Sequence, residues 1–346
     1  MAYVPILKGK AGEFRALEHA TSDVRERLRP VMEIVPDPDV RDVLETFCRH
    51  AMDAVPLGEM LTVDCGALPT QQVLQEDAGG PVARISESLA LRGIELCPVV
   101  RLTDGQESVR EAREAVAGHG RGVCLRIPVT PSAAMPSPSP DLHGVRRLLK
   151  ALSVDVDETD LLLDAGPVHA GARAKTLEGC LLAALDRLAR WPWRHVCVAA
   201  GGFPPNLKGF PRGKATAVAR HDARLWQQVT ERWNGEPPDF GDFGVTHPHM
   251  PAKSRRPPDP NMRYTTKTDW QVFVYPRIRA GNDDFFVLSE DLVASPYWPT
   301  AGSGTSWGDQ QVLECARRRR PKAGGGTEWR AWATSHHLAV VATELG

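Results

Sequence analysis

Short apolar runs recur along the chain, and each of the first seven is followed by a longer stretch with apolar positions at helical spacing. The runs are YVPIL (3–7), PVMEIV (30–35), MLTVDC (60–65), ELCPVVRL (95–102), GVCLRIPV (122–129), DLLLDAG (160–166), HVCVAAGGF (195–203) and FGDFGV (240–245). In AGEFRALEHATSDVRERL, after the first run, Phe14, Leu17, Val24 and Leu28 fit one helical face. Asp39 is placed to cap the helix after the second run. ATAVARHDARLWQQVTERW, after the seventh, reads as one helix. Near-continuous hydrophobicity within the runs is expected of parallel strands covered on both faces. An uninterrupted series of this kind predicts an α/β fold, a (β/α)8 TIM-type barrel. A doubly wound sheet is the alternative, but it usually has fewer strands, and no GxGxxG follows the first run.

After residue 245 the pattern changes. THPHMPAKSRRPPDPNMRY reads as a long loop, DWQVFVYPRIR (269–279) as an added strand and QQVLECARRRR as a short helix. TEWRAWATSHHLAVVATEL reads as a closing helix packed on the barrel. The chain thus divides into a barrel (1–245), an insertion after strand eight (246–325) and the closing helix (326–346). Loops after barrel strands lie at the catalytic face, so the insertion is expected to be a lid or a partner surface.

Composition adds exclusions. The 346 residues are 42% hydrophobic and 25% charged, ordinary for a soluble globular protein with a substantial core. A net charge of −1 gives no global basic field for nucleic acid. The basic runs KSRR (253–256) and RRRRPK (317–322) read first as solvated helix ends or loops. The 7 cysteines are odd in number and without CxxC spacing, and several lie in apolar runs. That usage suits a reducing compartment and argues against a zinc site. The N-terminus lacks a signal-peptide pattern, and no run approaches the ~20 apolar residues of a membrane span. A cytoplasmic location without membrane contact is expected.

The ends of the runs carry charge. Strand one offers Lys8 and Lys10, strand two Glu33, strand three Asp64, strand four Arg101, strand five Arg126 and strand six Asp164. Strand eight holds Asp242, with His247 just beyond it. A barrel gathers such ends at one mouth. One outcome is a structural ring of salt bridges. Another is chemistry: Glu33, Asp64 and Asp164 hold a hard divalent cation such as Mg²⁺ through oxygen. Lys10, Arg101 and Arg126 then bind phosphate, while Lys8, Asp242 and His247 move protons. The expected function is a metal-assisted phosphodiesterase or nuclease acting on a phosphate-containing substrate or nucleic acid. The alternative is a non-catalytic sensor or adaptor that binds a nucleotide or protein partner at the mouth. A third reading is an acid–base enzyme on a carboxylated small molecule, with Lys8 as base.

Other features read as structural. His336 and His337 are adjacent, so on a helix they point about 100° apart and suit packing or capping better than shared ligation. The Gly-rich AGSGTSWG (301–308) lacks the GKS/T of a P-loop. Trp191, Trp193, Trp226, Trp233, Trp329 and Trp332 fall mostly in helix-like segments and read as packing residues.

YVPILKGKAGEFRAL, RPVMEIVP, VDCG and the tail WGDQQVLECA…GGGTEWRAWATSHHLAVV together resemble the beta protein family of bacteria and T-even phages. Lys8, Lys10, Glu13, Glu33, Asp64, Trp329 and His337 match its pattern, and the resemblance covers essentially the whole chain. It implies a role in phage–host conflict, such as antiphage defence within a complex, without supplying a reaction.

Overall fold

Eight strands close into a parallel barrel in the computed structural model, which describes residues 1–68, 79–129, 131, 141–249, 258–278 and 282–346. The run KSRR and most of TPSAAMPSPSP lie outside the described residues. The barrel strands are β1 (Tyr3–Lys8), β2 (Val31–Glu33), β3 (Met60–Asp64), β4 (Glu95–Val100), β5 (Val123–Pro128), β6 (Thr159–Pro167) and β7 (His195–Gly201). Strand β8 (Ala215–Ala219) belongs to a separate sheet, and β9 (Asp239–Asp242) closes the barrel between β7 and β1. The (β/α)8 expectation and its eight strands therefore hold. Asp39 caps the helix Val40–Ala54 as expected, accepting from Asp42 N at 3.0 Å.

Alternation along these strands decides which residues reach the barrel interior. Val123, Leu125 and Ile127 of β5, Leu161, Leu163 and Ala165 of β6, and Val198 and Ala200 of β7 face the helices. They share one buried cluster with Leu149 of the helix Leu142–Leu152 and Leu181 of the helix Ala172–Leu188. The intervening residues, among them Cys124, Arg126, Leu162, Asp164, Cys197 and Ala199, face inward. Inside the barrel, Arg194 grips Asp160 with two bonds of 2.7 Å.

The chain separates into two compact units. The barrel unit comprises Met1–Lys10, Arg29–Gly201 and His221–Asp242. The second unit comprises Ala11–Leu28, Gly202–Arg220 and Phe243–Gly346. It holds an antiparallel sheet in the order β10 (Asn261–Thr265), β11 (Asp269–Val274), β8. Its helix Gly326–Glu344 packs on the helix Ala11–Glu18, on β10 and on the helix Trp307–Ala316. The last two helices approach at Gly308, where an added Cβ would collide with the Trp332 carbonyl, so only glycine fits.

This unit departs from the division read in the sequence. The region 246–325 is not an insertion of its own: it folds with the helix after β1, the segment after β7 and the closing helix. ATAVA, read as a helix start, is β8, and NMRYT, read as loop, is β10. Five-residue runs carry no decisive period, and pairing with β11 settles both as strands.

His336 and His337 are buried here in different surroundings. His336 Nδ1 meets Asp309 Oδ2 at 2.9 Å, and its Nε2 meets the Thr265 carbonyl at 2.9 Å. His337 Nδ1 meets Thr265 Oγ1 at 2.8 Å. Among the described residues no helix is long and apolar enough to cross a membrane.

Candidate functional site at the barrel mouth

Six inward side chains from β1 to β6 and the residue after β4 meet at the C-terminal end of the barrel. Arg126 lies at the centre. Its Nη1 donates to Glu33 Oε1 (2.7 Å) and to Asp64 Oδ2 (2.6 Å). Its Nε and Nη2 both donate to Asp164 Oδ2, at 3.0 and 2.6 Å. Lys8 Nζ pairs with Glu33 Oε2, and Arg101 Nη2 pairs with Asp64 Oδ2. Three cations face three carboxylates, so the cluster is neutral as a whole. The isolated carboxylate of RPVMEIVP is thereby explained: Glu33 bridges Lys8 and Arg126.

Local turns aim the two aspartates. Asp64 Oδ1 accepts from Gly66 N at 2.9 Å, and Asp164 Oδ1 accepts from Gly166 N at 2.8 Å. The same Asp-x-Gly turn follows the end of β3 and forms the irregularity late in β6, and it leaves Oδ2 of each aspartate to the arginines. Asp104 secures the next corner by accepting from Arg101 N at 2.7 Å. The Arg101 guanidinium lies on Gly66, where a Cβ would overlap it. Arg101 Nη1 is shut from solvent yet has no protein acceptor.

The electrostatics follow from this packing. Burial alone would push the Asp64 carboxyl up, but Arg101 and Arg126 outweigh it and hold the group below the usual carboxylate range. Burial works against the charge of Arg126, and Asp164, Asp64 and Glu33 overcome it, so its pKa is raised. A carboxylate lowered in the folded state contributes stability above its unfolded pKa of about 3.9 and loses it as pH falls toward the folded value. Asp64→Asn is therefore expected to flatten the stability–pH curve below about pH 4, measured by urea unfolding between acid and neutral pH. An unchanged acid limb would show that Asp64 does not carry this dependence.

The donor set does not fit the divalent cation expected from the sequence. Both oxygens of Glu33, of Asp64 and of Asp164 already accept from protein donors. A cation among them would also lie against the Arg126 guanidinium. Among the described residues no group of three or more His, Cys, Asp and Glu is arranged to hold a metal ion.

The remaining candidates fall elsewhere. Asp242 is fully buried and accepts from Tyr3 Oη at 2.6 Å. Tyr3 stacks on Phe240, which packs against Trp226 of the helix His221–Arg232, so Asp242 shares the helix-facing side of β9. Lys10 is exposed. His247 belongs to the second unit, where its Nδ1 accepts from His249 N at 3.0 Å. Burial pushes the Cys97 thiol up to about 12 and holds those of Cys124 and Cys197 high, so these interior cysteines are inert fillers.

The family model described as Beta protein matches residues 3–343. The chain belongs to the beta protein family. The match spans both units, so the barrel mouth and the second unit alike lie within the family's span. No curated protein matches the chain. Sequence reasoning overlooked three contributors to the beta protein mouth and its base: Asp104, Gly66 and the Arg194–Asp160 pair. The signal for the first two was present in RLTD and VDCG, as an acid three residues after Arg101 and a glycine two after Asp64.

Proposed function

We propose that the barrel mouth binds the phosphate group of a ligand by exchange, the phosphate replacing Asp64 on Arg101. One observation supports this reading above the others. Arg101 Nη1 has no protein acceptor, while the neighbouring arm is held by Asp64, whose Oδ2 is also served by Arg126. Releasing Arg101 therefore leaves Asp64 still paired, and a guanidinium fork then faces the ligand. The outcome is a ligand-sensing barrel acting in phage–host conflict, with protein partners reading its loaded state.

The test is calorimetry with bis(p-nitrophenyl) phosphate in the presence of a chelator. The wild-type chain is expected to bind, and Arg101→Gln to weaken binding about tenfold, the worth of one charge-assisted bond. Equal binding by the variant sinks the proposal. In cells, Arg101→Gln is expected to lose any protection against phage plaque formation that the wild-type chain confers.

Phosphodiester cleavage is the second reading, and the Lys8–Glu33 pair favours it. A buried lysine held directly against a carboxylate is a proton donor and acceptor in one couple. Here Glu33 takes a proton from the water whose oxygen bonds to phosphorus, Lys8 gives one to the leaving oxygen as its P–O bond breaks, and the proton on Glu33 then passes to Lys8, with no divalent cation in the step. Release of p-nitrophenolate by the wild-type chain, lost in Lys8→Met with binding retained, would select cleavage over sensing.

A further inference from the structure

A second group of arginines lies within the second unit. Arg263 on β10 donates from Nη1 to the Val245 carbonyl at 2.6 Å. Its guanidinium carbon stands 4.6 Å from the centroid of the Phe203 ring. Its Nε is shut from solvent and has no acceptor. Arg330 comes from the helix Gly326–Glu344, which packs on β10. It lies against the start of the helix Ala11–Glu18, where a Cβ on Gly12 would sit 3.4 Å from Arg330 Cβ. Among the described residues no hydrogen-bond acceptor serves the Arg330 guanidinium.

The charges here are incompletely offset. Burial disfavours the charged form of both arginines, and Arg330 pushes Arg263 further the same way. Among the described residues Glu13 is the carboxylate that opposes this at both positions. Guanidinium does not give up its proton in proteins, so two positive charges share one negative one. Both side chains are half-buried, and partly buried charges of one sign sit together at a cost that a counter-charge offsets. A fork resting on an aromatic face, with a donor left over, is also the equipment for holding a planar or tetrahedral oxyanion.

We propose that Arg263 and Arg330 form a binding site for a dianionic phosphate group of a small molecule. Arg263 is fixed by the Phe203 ring and the Val245 carbonyl, and it offers Nε. Arg330 supplies the second fork, and Glu13 limits affinity by competing for both. All of its residues belong to the second unit.

The test is calorimetry on the full chain at constant ionic strength. The probes are inorganic phosphate and, separately, adenosine monophosphate as a phosphomonoester. The wild-type chain is expected to bind at least one of them. Arg263→Gln and Arg330→Gln should each weaken that binding about tenfold, the worth of a lost charge-assisted bond. Glu13→Gln should tighten it several-fold, a gain that misfolding cannot mimic. Tighter binding of the nucleotide would assign the phosphate to a phosphomonoester, and preference for the inorganic ion would assign it to the free anion. The proposal is overturned if neither probe binds the wild-type chain, if the Arg263 and Arg330 variants bind as well as the wild type, or if Arg101→Gln alone abolishes binding.

Discussion

Arg126→Gln is expected to lose about 3–5 kcal/mol of stability, the range for breaking a buried ion pair by removing one partner. The reason lies in what the substitution leaves behind. Arg126 is the donor shared by Glu33, Asp64 and Asp164, and its side chain is 8% exposed. Without it three carboxylates face one another across the mouth, with Lys8 and Arg101 as the remaining cations of the cluster. Arg126→Lys should recover only part of the loss, because one ammonium cannot serve Asp164 through two nitrogens while reaching Glu33 and Asp64. Denaturant midpoints check both variants. The same measurement tests the cation reading. Freed carboxylates are a hard-cation site, so Mg²⁺ should raise the midpoint of Arg126→Gln and leave the wild type unmoved. A wild-type chain stabilised by Mg²⁺ as strongly as the variant would restore a metal to the mouth.

Asp309→Ala should have an effect of similar size in the second unit, about 3–5 kcal/mol, through a different kind of network. Asp309 is fully buried, yet Tyr264 Oη donates to its Oδ1 at 2.7 Å and Ser306 Oγ to its Oδ2 at 2.7 Å. His336 adds a bond to Oδ2. Both ring nitrogens of His336 face acceptors, a carboxylate and the Thr265 carbonyl. The ring thus bridges Asp309 and the Thr265 carbonyl. It also stacks on Tyr264 with centroids 3.8 Å apart. Truncating Asp309 strands two hydroxyls and one imidazole nitrogen in a dry core. His336→Phe removes one of those stranded groups, so the double variant should lose less than the sum of the singles, with a coupling of at least about 1 kcal/mol. Additive losses in a double-mutant cycle would show that the pair is not coupled.

The barrel was legible because a parallel sheet covered on both faces writes near-continuous apolar runs, and eight of them stood in series. The charged strand ends were legible for the same reason: a carboxylate inside VMEIV stands out against its neighbours. Their partners were not. Glu33 lies far along the chain from Arg126, and closure of the barrel brings them to 2.7 Å. Asp242 shows the limit most clearly. It ends its strand as Asp64 does, but strand parity turns it toward Tyr3 and the helix layer instead of the mouth. The second unit was the least legible part, since it is assembled from Ala11–Leu28, Gly202–Arg220 and Phe243–Gly346, segments remote from one another in sequence.

By itself, then, the sequence determined the strand series, the barrel class and the family, because periodicity and local turn chemistry act over a few residues. The tertiary structure decided the rest: which oxygen meets which guanidinium, that Arg126 occupies the place expected for a cation, and that distant segments form the second unit. Those outcomes depend on parity, register and the neutralisation of buried charge, which act between residues far apart in the chain.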